Sequence, residues 1–239
     1  MKTIYDGEYF EIISYGKFDK IKEDLISYLN SKVKEIVLFF NINNLVKFNI
    51  YLYSDKDMFK KAAKYPYKLD KLAGTFYLYG VKIYADLDNI SKKEFFAATA
   101  HEIIHLLYLK YVSEKGLKNR TIWFEEGISQ NLSGEKDYLN DDNEFSTYLI
   151  KNIYNEDKVL PNIDYLCRHG NKFGEFKDED TNKYNGYVWS YLMVKYLLTI
   201  IPKEYFDKIM RSKLEIDIIG RRIIDSTYNY YKRKIRVKN

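Results

Sequence analysis

One short stretch, residues 98–107, limits what this chain can fold into more than any other part of it. It reads Ala-Thr-Ala-His-Glu-Ile-Ile-His-Leu-Leu and contains His101, Glu102 and His105. On an α-helix, side chains four residues apart project from the same face, so the two imidazoles can bind one metal ion. Glu102 lies beside them, where its carboxylate can reach a metal-activated water without being a ligand. The stretch therefore predicts a helix that carries a catalytic zinc site.

Two features favour this interpretation over an ordinary half-buried helix that contains two histidines by chance. The chain has only three histidines, and two of them lie in this stretch. Ser91 and Glu94 form a Ser-x-x-Glu pattern, which predicts a capping box at the start of a helix that would run through both histidines.

Composition restricts the class of protein. The chain has 239 residues, enough for one domain or two closely packed halves, and 46% of its residues are hydrophobic. The net charge of +5 is spread over mixed signs, which is too mild to indicate a nucleic-acid partner. The one concentrated basic run, residues 231–238, could contact phosphates, but a solvated helix end is the favoured interpretation.

The cysteine content and the hydropathy pattern bear on the compartment. The single Cys167 excludes an internal disulfide, which suits a reducing environment. A thiol–histidine pair with His169 has poor spacing, so a structural cysteine is favoured. The first residues lack the apolar core of a signal peptide, and no run approaches the roughly 18 apolar residues of a membrane span. The expectation is a cytoplasmic protein, although a chain trimmed of a signal peptide would look the same.

Hydrophobic periodicity predicts an α+β fold in which the strands precede most of the helices. The strands are expected to end before residue 90. The sequence predicts an α/β subdomain over residues 1–112 and a helical subdomain over residues 113–239. The predicted strands are residues 8–14, 47–53, 73–79 and 81–85. The predicted helices are residues 19–40, 54–64, the histidine helix, a helix around 121–130, and residues 142–154, 161–167, 184–200, one opened by Pro202, and 219–234.

A third metal ligand is sought downstream, because a catalytic zinc takes three protein ligands and leaves one position to water. Glu125 and Glu126 are adjacent in the predicted helix that follows the histidine helix. On the residues alone either carboxylate could serve, or both could be ordinary acids of a helix.

With this pair the sequence resembles the gluzincins, the thermolysin-like and aminopeptidase-like zinc peptidases whose third ligand is a glutamate. Their second helix often reads Trp-Leu-Asn-Glu-Gly, and residues 123–127 read Trp-Phe-Glu-Glu-Gly. The resemblance implies a single Zn²⁺ bound by His101, His105 and Glu126, with Glu102 as the general base. Glu125 stands where asparagine is usual. Gln130 stands where thermolysin-like members place an aspartate that supports a ligand histidine.

The resemblance extends to the order of the preceding strands and implies a zincin-like mixed sheet. In gluzincins an edge strand binds the extended substrate, and an inner strand and the metal helix follow it. Residues 74–78 and 81–84 match that order, so Gly74, Thr75 and Phe76 are expected to contact the peptide by strand addition.

A catalytic tyrosine is implied in the same way. Residues 187–197 resemble the helix on which related aminopeptidases carry a tyrosine that stabilises the oxyanion, and the pattern of matches selects Tyr187 over Tyr184. His169 is an alternative donor. The Gly-x-Met-Glu-Asn motif that aminopeptidases use to hold a free substrate amine is missing from the sequence, which favours an endopeptidase.

Two functions from different classes remain. The first is a zinc metallopeptidase that acts on a peptide or protein substrate. The second is a catalytically silent protein of the same fold, which binds a peptide or a partner or is a scaffold stabilised by the metal. Glu102 argues against the second, since a structural metal site needs no base and normally closes its fourth position. A basic-tailed nucleic-acid binder is a distant third, and it predicts binding to DNA that weakens with salt.

Overall fold

The computed structural model describes residues 1–64, 71–114, 120–152, 160–167, 176–177 and 183–236. These residues form an α+β fold with a five-stranded mixed sheet near the N-terminus and a mostly helical C-terminal half, which confirms the predicted fold class. The chain divides into two compact units. The N-terminal unit comprises Met1–Tyr111 and Leu132–Glu135, and the C-terminal unit comprises Val112–Asn131 and Lys136–Asn239.

The secondary structure follows the predicted order closely. The first part of the chain contains β1 (Lys2–Asp6), β2 (Phe10–Tyr15), α1 (Lys22–Phe40), β3 (Phe48–Tyr53), α2 (Lys56–Ala63), β4 (Leu72–Tyr77), β5 (Gly80–Ala85) and α3 (Lys92–Leu107). The second part contains α4 (Ile122–Leu132), α5 (Asp142–Asn152), α6 (Ile163–Cys167), β6 (Phe176–Lys177), β7 (Lys183–Tyr184), α7 (Gly186–Ile200), α8 (Lys203–Arg211) and α9 (Lys213–Arg236).

The sheet of the N-terminal unit has the strand order β1-β2-β3-β5-β4. Its three central strands, β2, β3 and β5, run parallel, while β1 and β4 pair antiparallel at the two ends. The strand that contains Gly74, Thr75 and Phe76 is therefore an edge strand among the described residues, as predicted. Its free edge lies on the side away from β5.

Two expectations about the strands are wrong. Strand β1 was not predicted, because Lys2–Asp6 has no clear apolar alternation and is held by its pairing with β2 across a turn at Gly7. Strands also do not end before residue 90, since β6 and β7 form a two-residue antiparallel pair. Such short strands depend on their cross-strand partner rather than on a local pattern.

Helix α3 is fixed in the N-terminal unit by packing on two sides. It contacts β4, β5 and α1. Helix α1 presents a stripe of buried side chains at helical spacing, and each such side chain contributes about 1.5–3 kcal/mol when fully buried. The buried residues of the α1 stripe are Leu25, Leu29, Val33, Ile36 and Phe40. Those of α3 include Phe95, Ala100, Ile103, Ile104 and Leu107.

The N-terminus of α3 carries the predicted capping box. The Ser91 hydroxyl accepts a hydrogen bond from the Glu94 backbone N–H at 3.2 Å, and the Glu94 carboxylate accepts one from the Ser91 backbone N–H at 2.8 Å. These bonds to Ser91 lower the pKa of the Glu94 carboxyl. Two backbone donors at the helix end are thus satisfied, which fixes where α3 begins.

Among the described residues, no helix combines the length and the apolar character needed to cross a membrane.

Replacing Ser91 by alanine tests how far the cap stabilises α3. Ser91→Ala removes the acceptor of the Glu94 N–H, so we expect the free energy of unfolding to fall by about 1 kcal/mol in urea denaturation. Ser31→Ala, at an exposed position inside α1, is the matched control. It should be neutral or slightly stabilising, because alanine is the better helix former. Equal losses in both variants would show that the box contributes nothing specific.

Candidate metal site

The two histidines of α3 have their Nε2 atoms close together. His105 is buried, His101 is half-buried, and the two Nε2 atoms lie 3.0 Å apart. Two nitrogens that each lie about 2.0–2.1 Å from a tetrahedral zinc are roughly 3.4 Å apart. The pair therefore fits a shared metal ion with a small adjustment of the rings.

Glu126 completes a group that could hold a metal ion. The ligand atoms offered by His101, His105 and Glu126 all lie within 4.8 Å of one another. No other such group of His, Cys, Asp and Glu side chains occurs within the described part of the chain. Two imidazoles and one carboxylate match the donor set of catalytic zinc sites, so the residues present fit this metal.

Glu125, the other carboxylate that the sequence offered as a ligand, has hydrogen-bond partners within the C-terminal unit. It is 2% exposed, and one carboxylate oxygen accepts a hydrogen bond from Arg120 Nε at 2.7 Å. The other oxygen accepts the backbone N–H of Thr121 at 3.1 Å, close to the start of α4. A buried carboxylate needs such partners to offset its lost hydration. Both oxygens of Glu125 are thus committed to the structure of the C-terminal unit.

Gln130 is also committed to helix packing in the C-terminal unit. Its side-chain nitrogen donates to the backbone oxygen of Glu126 at 3.2 Å and to that of Tyr187 at 3.0 Å. The side chain is 3% exposed and joins α4 to the first turn of α7. The Gln130 amide nitrogen is therefore held by two backbone oxygens of α4 and α7.

Strand β4 borders Glu102 and His105. A Cβ added at Gly74 would lie 2.5 Å from Cγ and 2.7 Å from Oε1 of Glu102, so a side chain at this position would displace the Glu102 carboxylate from where it lies. The Phe76 ring stacks on the His105 imidazole with 5.4 Å between centroids. Thr75 is half-exposed and pairs with Lys82 of β5. Of the three predicted substrate contacts, Gly74 and Phe76 thus lie directly beside the motif.

A carboxylate that sequence reasoning missed lies beside His101. Glu135 Oε1 is 3.1 Å from His101 Nδ1, and both side chains are largely shielded from solvent. Glu135 belongs to no recognisable motif. The only local signal is the neighbouring Gly134, whose φ of +85° marks a turn that brings the chain back towards α3.

The candidate oxyanion donors have different positions. Tyr187 lies in the first turn of α7 and is 42% exposed. Tyr184 lies in β7, before the helix begins at Gly186. His169 lies outside the described residues. The role of each remains a prediction.

Cys167 has the properties of a structural cysteine. It is free and half-buried at the end of α6, with Sγ 3.9 Å from Oδ1 of Asp217. Burial, and secondarily the charge of Asp217, raises the pKa of this thiol to about 11. The thiol is therefore protonated at neutral pH and a poor nucleophile.

Comparison with models of known protein families finds no match to this chain, and comparison with curated proteins finds none. A functional assignment therefore depends on the chemistry of the site itself.

The two adjacent glutamates give a test of the third ligand. Glu126→Ala removes one of three ligand side chains, so we expect the protein to lose its metal on dialysis, as measured by atomic emission. Glu125→Ala should retain the metal. Its free energy of unfolding should fall by about 2 kcal/mol, because Arg120 loses its buried partner. Full metal content in Glu126→Ala together with loss of metal in Glu125→Ala would show that Glu125, and not Glu126, is the third ligand.

Proposed function

We propose that this protein is a zinc-dependent metallopeptidase, and an endopeptidase rather than an aminopeptidase. The observation that carries the proposal is the grouping of the ligand atoms of His101, His105 and Glu126 within 4.8 Å. Glu102 adjoins this group in sequence and touches strand β4 at Gly74. A purely structural site would have no use for such a carboxylate.

The chemistry divides between the metal and the protein. Zinc, when bound by the two histidines and Glu126, supplies Lewis acidity towards a carbonyl oxygen and lowers the pKa of water. Glu102 accepts a proton from the attacking water and delivers it to the nitrogen of the leaving amine. A general base and acid of this kind contributes about 10²–10⁴-fold to the rate.

Strand β4 supports recognition of an extended peptide. Among the described residues it pairs only with β5, which leaves backbone donors and acceptors on its other edge for strand addition. Gly74 and Phe76 border Glu102 and His105, so a peptide aligned on this edge would pass next to the base. Hydrogen bonds to the peptide backbone give affinity that is largely independent of the peptide sequence. Selectivity then depends on pockets of the protein that accept the side chains of the peptide.

The same edge strand supports the second candidate, a catalytically silent protein that binds peptides. The two functions share the fold and the binding edge, and they differ in what Glu102 does. Turnover, rather than binding, therefore distinguishes them.

The decisive experiment is incubation of the zinc-loaded protein with a peptide library, with cleavage read by mass spectrometry. We expect internal cleavage by the wild type. Glu102→Gln keeps the shape of the side chain but cannot accept a proton, so it should retain zinc and lower kcat by at least ~10²-fold. Glu23→Gln, an exposed acid on α1, is the control and should be unaffected. Near-normal turnover in Glu102→Gln would refute the mechanism, and binding without cleavage by the wild type would favour the silent protein.

A second test addresses the oxyanion. A tyrosine hydroxyl can donate a hydrogen bond to the developing negative charge, and its ordinary pKa near 10 keeps it protonated at neutral pH. Tyr187→Phe should lower kcat by ~10²-fold, with little change in KM or in zinc content, because the bond strengthens only in the transition state. Tyr184→Phe is the matched control and should be nearly silent. The reverse result would transfer the role to Tyr184, and no effect in either variant would direct attention to His169.

A further inference from the structure

The segment that carries Glu135 is tied to the N-terminal unit. The Tyr28 hydroxyl of α1 donates to the Ser133 backbone oxygen at 2.7 Å, and the Glu135 backbone N–H donates to Ser133 Oγ at 3.3 Å. The Tyr28 ring packs on Phe96 of α3, with 5.5 Å between centroids. The segment Leu132–Glu135 is therefore held against helices α1 and α3 of the N-terminal unit.

The position of the carboxylate beside His101 has a definite chemical consequence. His101 Nε2 faces His105 Nε2, which leaves Nδ1 on the side of Glu135. A histidine that binds a metal through Nε2 must carry its proton on Nδ1, and a carboxylate there selects this tautomer and orients the ring. The separation of 3.1 Å is that of a hydrogen bond, although the N–H direction is not yet aligned with the oxygen.

We propose that Glu135 is the positioning residue for the metal ligand His101. In this chain it takes the task that the resemblance assigns to the position of Gln130, whose amide nitrogen is committed to two backbone oxygens. The inference rests on the proposed function only in that the site binds a metal, and it does not depend on peptidase activity. Tyr28 supports Glu135 indirectly, because its hydrogen bond to Ser133 holds the segment in place.

Zinc affinity, measured by competition with a chromophoric chelator on the full chain, is the first test. Glu135→Ala should weaken binding about 10–100-fold, the usual effect of removing an outer carboxylate partner. Glu135→Gln retains an oxygen that can accept the Nδ1 proton and should recover much of that loss. Tyr28→Phe should weaken binding less than Glu135→Ala. Gln130→Ala is the matched control at the family's position, and it should leave the affinity unchanged within about 3-fold. Urea denaturation of each metal-free variant separates a loss of affinity from a loss of folding.

A spectroscopic test separates positioning from a general effect on structure. In the metal-free protein, the ¹⁵N signals of the wild-type His101 imidazole should report one tautomer with the proton on Nδ1, and Glu135→Ala should show a mixture of tautomers. Equal zinc affinity in Glu135→Ala and the wild type would overturn the proposal. So would a loss confined to Gln130→Ala, or a wild type that binds no metal. If the affinities differ as expected and no peptide is cleaved, the positioning role stands and only the metallopeptidase proposal fails.

Discussion

The candidate site depends first on the rigidity of α3. The two imidazoles and the carboxylate of Glu102 occupy positions i, i+4 and i+1 of one helix, so their mutual geometry is set by helical spacing. That geometry is useful only if the helix cannot rotate or slide. Its capped start and its packing on β4, β5 and α1 prevent both. The large apolar side chains that flank the motif thus hold the polar side chains between them in place.

The two adjacent glutamates of α4 differ in how deeply their side chains are buried. Glu125 is 2% exposed, and a carboxylate so deeply buried stabilises the fold only when its oxygens have charged or hydrogen-bonding partners. Arg120 and the Thr121 N–H meet that need, and a charged network links Thr121 to Asp217 and Lys213 of α9. The presence of a buried carboxylate at this position therefore has a structural explanation within the C-terminal unit.

What the sequence could predict follows from the range of the interactions. The capping box, the helix that carries both histidines and the two strands that precede it are local patterns, and the structure confirms each of them. Strand β1 and the contact of Glu135 with His101 depend on residues that come together only on folding. No periodicity distinguishes Glu135 from other surface acids of the chain. The choice between Glu125 and Glu126 required either the family resemblance or the burial of Glu125, since neighbouring carboxylates look alike in sequence.

Gly74 shows how the base and the binding edge depend on each other. A glycine inside a strand is unfavourable by roughly 0.5–1 kcal/mol relative to alanine, because it loses more backbone entropy on folding. At this position a side chain would displace the Cγ and Oε1 atoms of Glu102 from where they lie, and glycine leaves that place open. The carboxylate can lie against the backbone of an edge strand, which is also where an extended peptide would pair. One missing methyl group thus brings the proposed base and the proposed substrate path within reach of each other.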